Sequence, residues 1–177
     1  PFLKITCFHE GLSSENIDKF FTKSGNLNIC IEVCDGLLAK VMVREKAKEL
    51  KIPVVMDTND RGMIDVERFD LEPNRPIFHG LIDHLSISKL KKAESDEEKL
   101  LFIDAIIDFN SCSKRLQKSM EEIGKTISTW PQLASSVNLG GALTCNVCRR
   151  ILLNEFNDSG RYFVDINEII NDTQSPK

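Results

Sequence analysis

The residues best suited to chemistry in this chain gather where strand-like runs end. Asp35 closes the apolar run NICIEVC and is followed at once by Gly36. Asp57, Asp60 and Arg61 follow the short run VVM. In an open parallel sheet, ligands sit beyond the carboxyl ends of the strands. A carboxylate there can hold magnesium, a hard cation that often takes only one or two carboxylates plus the phosphates of a nucleotide. Gly36 lets a ligand approach the backbone closely. The competing meaning of Asp35 is a cap on the helix that starts at residue 37, because Asp is a favoured N-cap. For Asp57, Asp60 and Arg61 the competing meaning is a polar turn, TNDRG.

Other reactive side chains are weaker candidates. Cys145 and Cys148 form a CxxC pair in TCNVC, but a closed zinc site needs four N or S ligands and no second pair stands at usable spacing. Zinc is therefore not expected. In an apolar helix the two thiols serve as small hydrophobes. Cys112, in NSCSK beside Lys114 and Arg115, is a candidate thiol only if its pKa is lowered. His79 and His84, close to Asp83, could act as general bases but read better as hydrogen-bonded structural residues. Gly140 and Gly141 fall inside a helical pattern. Each costs roughly 1 kcal/mol against Ala, which close packing would offset.

The elements that position these residues follow from periodicity. Residues 2–8 and 28–34 read as strands. SSENIDKFF reads as a helix with Ser13 or Ser14 as N-cap. Residues 37–50 read as a helix stopped by Pro53, VVM as a buried strand, and 63–71 as an exposed or antiparallel strand. The first third is thus β-α-β-α-β-β, a pattern that implies parallel pairing with helical crossovers. Farther on, helices are expected over 96–109, 113–127 and 131–155, then a strand RYFVDI and a short helix NEIIND. The tail 173–177 is expected to be disordered.

Composition narrows the class. The 177 residues carry a net charge of −4, whereas nucleic-acid binders usually show a basic surplus; no nucleic-acid partner is expected. No apolar run reaches the roughly 20 residues of a membrane span. The six cysteines lie mostly in apolar runs, which suits reduced thiols and a cytoplasmic setting rather than a disulfide framework. Pro1 in place of Met, before a strand-like opening, suggests that the chain continues upstream.

VCDGLLAKVMVREKAKELKIPVVMDTNDRG resembles the adenylate-forming family of ThiF, MoeB and the ubiquitin-activating enzymes. There too a strand ends in Asp, and a helix and then a strand after an Ile-Pro follow. DVERFDLEPNRPIFHG and WPQLASSVNLGGALTCNVCRRILL are similar to later parts of that family. The likeness covers most of 1–81 and 130–166; residues 85–128 have no counterpart and read as a helical insertion. It implies an α/β fold over residues 1–172, the second half of a Rossmann-like nucleotide-binding domain with a mixed sheet. It implies ATP and magnesium as cofactors, with Asp35 on the metal and Gly36 and Lys40 along the nucleotide; Asp57 and Asp60 are placed beside the same crevice by their position at a strand end. A homodimer and a carboxylate substrate or small carrier protein are the implied partners. The family's glycine-rich loop is not in this chain. Its Asp-Asn pair is Asp35-Gly36 here, its helix Arg falls at Lys40, and its Asn falls at Arg44. Two alternatives stay open: a non-catalytic ThiF-like scaffold, of a kind found fused to nitroreductase-like modules, and a nicotinamide-binding Rossmann domain.

Overall fold

The computed structural model describes residues 2–90, 96–129 and 131–172. The polar run 91–95 and the tail 173–177 lie outside them. The architecture is α/β, built on a four-stranded mixed sheet in the order β1-β2-β3-β4. β1 (Cys30–Glu32) and β2 (Val54–Asp57) are parallel and joined by α2 (Leu37–Leu50). β3 (Ile64–Glu67) returns antiparallel beside β2, and β4 (Gly160–Tyr162) is antiparallel beside β3. α1 (Ile17–Thr22) precedes the sheet. Between β3 and β4 come α3 (Ile87–Leu90), α4 (Asp96–Ile107), α5 (Lys114–Met120) and α6 (Ala134–Leu152), and α7 (Ile166–Ile169) follows β4.

Strand alternation sorts the side chains into two layers. From β2, Val55 points to one face, where it packs with Ile64 and Val66 of β3 and Cys148 and Ile151 of α6. Val54 and Met56 point to the other, where Val54 joins Ile17, Phe21, Val43 and Ala47. Met56 joins Val41, Phe78, Phe102 and Ile106. Helices therefore cover both faces, as a parallel pair requires. α2 stops where Lys51 adopts left-handed φ, with the Ile52 N–H bonded to the Ala47 carbonyl at 2.8 Å. Pro53 follows, so the helix cannot resume.

Several expectations are corrected. Residues 2–8 form no strand, and Phe2, Leu3 and Ile5 are 97, 87 and 80 % exposed. Their alternation has no neighbour to take its backbone groups among the described residues. The opening is therefore α-β-α-β-β. α1 starts at Ile17, with Asn16 rather than Ser13 or Ser14 at its cap, because the Asn16 side chain turns back to accept from the Ser13 N–H at 2.8 Å. β3 is antiparallel as expected but wholly buried. α5 ends at Met120, and Gly124 with φ +80 carries the chain into turns. β4 ends at Tyr162, and Asp165 caps α7 by accepting from the Asn167 N–H at 3.0 Å.

Candidate functional site

A cleft of about 410 Å³ opens at the carboxyl ends of the parallel pair. Asp35 and Asp57, from the ends of β1 and β2, both line it. Its apolar wall comes from Leu37, Met56 and Ile103, Ile106 and Ile107 of α4. Asp35 is exposed and is not the helix cap: the cap position of α2 is Gly36, and no side chain bonds there. No hydrogen bond or ion pair holds the Asp35 carboxylate among the described residues. Gly36 keeps an ordinary extended backbone, φ −72 and ψ 110. Its lack of a side chain is thus no backbone necessity, and it leaves the strand end uncovered.

The basic residues of α2 are turned elsewhere. Lys40 Nζ donates to both oxygens of Glu32, at 3.0 and 3.2 Å. Arg44 is fully buried; its Nη1 donates to Glu32 Oε2 at 2.7 Å and its Nε to Glu67 Oε2 at 2.5 Å. Its guanidinium also lies 3.8 Å above the Phe78 ring centre. Two carboxylates thus face two cations in a dry interior, where each charge must be matched. Burial opposes ionisation of Glu32, but Arg44 and Lys40 outweigh it and hold the carboxyl below its usual range. Burial pushes Glu67 up instead, despite Arg44. Lys40 borders the cleft, yet its charge is already answered by Glu32. Glu32 does more: its Oε1 accepts from the Cys34 N–H at 3.0 Å and so fixes the turn that presents Asp35.

Asp57 is half-buried, and burial raises its pKa while the Asn59 N–H pulls the other way. That N–H reaches Asp57 Oδ1 at 2.8 Å. Oδ2 lies against Gly140 of α6, so closely that a Cβ added there would stand 1.9 Å from it. Gly140 is therefore a packing glycine, and the helix meets the sheet on the carboxylate itself. Gly141, its neighbour, faces open space. The turn beyond β2 is tight: Asn59, Arg61 and Gly62 all have left-handed φ, and a Cβ at Gly62 would come within 2.5 Å of the Val164 carbonyl oxygen. Asp60 leaves the cleft and accepts from the Ser113 N–H and hydroxyl at 2.8 and 2.7 Å. Arg61 pairs with Asp165 at 2.9 Å and Glu168 at 2.8 Å and donates to the Ser111 carbonyl.

The remaining candidates do not line the cleft. His79 accepts at Nδ1 from Arg75 Nε at 3.0 Å, so its proton sits on Nε2, 3.0 Å from Asp65 Oδ1. Asp65 is buried and also takes Arg161 Nε at 2.6 Å. His84 and Asp83 are exposed and away from the cleft. Cys112 is half-buried, and burial with nearby Asp60 pushes its thiol up to about 11. Burial does the same to Cys148, up to about 11. Neither is primed as a thiolate. Among the described residues no group of three or more His, Cys, Asp or Glu side chains converges on a metal position. A nucleotide-bound magnesium needs fewer, and the unpartnered Asp35 fits that need; Asp57, with one oxygen on Asn59 and the other against Gly140, is less free.

Sequence reasoning did not bring α4 to the cleft, since its three isoleucines read as core. It also passed over Glu32, although a glutamate inside an apolar strand run is a signal of a buried partner.

The chain matches no family model and no solved structure. It is 39% identical over 176 residues to the uncharacterized protein MT1398 of Mycobacterium tuberculosis (strain CDC 1551 / Oshkosh), which covers 99% of this chain. The chain spans 24% of the length of that curated relative. No helix of the described residues is long and apolar enough to cross a membrane.

Proposed function

We propose that the chain is the second half of a ThiF-like nucleotide-binding domain, within a cytoplasmic protein that activates a carboxylate by adenylation. One observation carries this reading: Asp35 stands uncapped and unpaired at the carboxyl end of a parallel strand, on the lip of an open cleft. A carboxylate so placed has no structural task, and a strand end in an open sheet is where ligands bind. Asp35 would hold magnesium, and the ion would offset the charge on the transferring phosphorus centre. Leu37 and the α4 isoleucines would shelter the flat, less polar part of the nucleotide. Glu32 keeps the 33–36 turn in place beneath Asp35.

The test is ATP–pyrophosphate exchange with candidate carboxylates, in the full-length protein. Exchange is expected, and Asp35→Ala is expected to abolish magnesium-dependent nucleotide binding without changing the melting curve. Unchanged nucleotide affinity in that variant would remove Asp35 from the site.

A second reading is favoured by one particular observation: Lys40 and Arg44 are committed to Glu32 and Glu67, so neither is free to meet phosphate. It is a ThiF-like scaffold that binds a nucleotide or partner without turnover. Tight ATP binding with no exchange selects it, whereas a calorimetric preference for NAD selects a nicotinamide-binding domain.

A further inference from the structure

The cleft does not end at Asp57. Thr58, Asn59 and Gln132 are shared with a small neighbouring hollow of about 90 Å³. That hollow shares Asp60, Ser113, Arg115 and Ser136 with a larger cavity of about 630 Å³. The three adjoin one another in a row, which we treat as one groove past the turn after β2 toward α5, α6 and α7. Its far end has its own charge pattern. The acidic side chains there are engaged: Asp60 on Ser113, Asp165 and Glu168 on Arg61. Lys114 and Arg115, at the start of α5, line the same space and have no hydrogen-bond or ion-pair partner among the described residues. Ser135 and Ser136 add hydroxyls on the facing wall.

We infer that the far end of the groove binds a carboxylate, held by Lys114 and Arg115, and that it is where an anionic substrate enters. Both cations come from the segment 85–128, which has no counterpart in the resembled family. A specificity element carried on such a segment explains why it borders the groove instead of lying apart from it. Arg115 offers a planar fork matched to a carboxylate, and Lys114 adds a mobile point charge. The place of this site in a reaction rests on the adenylation reading. The binding itself does not, and it can be measured without nucleotide or metal.

The experiment is a titration of the 15N-labelled chain with glutarate, and separately with inorganic phosphate, in magnesium-free buffer. Saturable shifts with glutarate are expected at the amides of residues 113–116, 135 and 136. Lys114→Ala/Arg115→Ala should weaken glutarate binding by roughly tenfold or more, the size of losing a charge-assisted contact. The exposed Lys118→Ala, off the groove on the same helix, should bind as wild type does. Three results overturn the inference: no saturable shift with glutarate, the same affinity in the double variant, or binding of phosphate without glutarate. Circular dichroism melting checks that the double variant, changed only at exposed positions, is folded. Glutarate binding by the chain beside absent ATP binding by the full-length protein would leave this site standing and sink the adenylation reading; the reverse pattern would do the opposite.

Discussion

Asp57 shows what a single side chain can report. Its carboxyl is half-buried and its pKa is raised by that burial. A raised folded-state pKa means that the proton is held better in the folded chain. The contribution to stability is fully present below the unfolded value and is lost as pH rises through the folded one. Asp57→Asn has no such loss and keeps an oxygen for the Asn59 N–H. The variant is expected to be more stable than wild type at pH 7, by less than about 1 kcal/mol given partial exposure. The advantage should fade as pH falls below the ordinary carboxylate range. Urea titrations at pH 7 and pH 3.5 check this; equal midpoints at pH 7 would contradict it. At this scale the sequence located Asp35 and Asp57 at strand ends from local pattern alone. It could not tell that Lys40 faces Glu32, because a residue eight positions away on another element decides where that ammonium goes.

At the scale of the element, α6 meets the sheet through one glycine of a pair. Gly140→Ala places a methyl group on the Asp57 carboxylate. The Asp57 side chain must turn away, losing its bond to the Asn59 N–H, or the helix must shift, at a cost of about 1–3 kcal/mol. Gly141→Ala meets nothing and gains helix propensity, so it should stabilise by roughly 1 kcal/mol. Opposite signs from neighbouring positions, read in thermal melts, are the expected result; the same sign from both would mean that α6 is seated differently. The helices α2 and α6 were legible because their apolar positions recur with helical period. Residues 2–8 were misread because alternation describes a strand's faces but not its neighbours. β3 was half legible: alternation gave an antiparallel strand, but Asp65 and Glu67 face inward, toward cations that lie far along the chain.

Across the whole molecule, the buried charges act as one body. Glu32, Arg44 and Glu67 tie β1, α2 and β3 together, while Asp65, His79 and Arg161 tie β3 to β4 and to the turn before α3. Removing the central cation by Arg44→Met leaves Glu67 buried without its cation and Glu32 with Lys40 alone. A loss of about 3–5 kcal/mol is expected, the range for breaking a buried pair from one side. The triple change Glu32→Gln/Arg44→Met/Glu67→Gln removes the three buried charges together, leaves Lys40 to turn toward the open cleft it borders, and should recover much of it. Chemical denaturation of both variants measures the difference; a triple variant no better than Arg44→Met would show that the charges do not compensate one another. A glutamate such as Glu32 in an apolar run signals a buried partner, but nothing local says which cation it meets in a network spread over residues 32 to 161.

The position of β4 bears on how the chain is made. Arg161 completes the neutralisation of Asp65, and Arg61 waits for Asp165, across separations of 96 and 104 residues. A ribosome therefore exposes the parallel pair and its crossover helix long before the last strand can seat. Through that interval β3 has a bare margin, and its Asp65 carboxylate has His79 but not yet Arg161. Arrested synthesis short of Arg161 should yield a protease-sensitive chain, and a few further residues should close it.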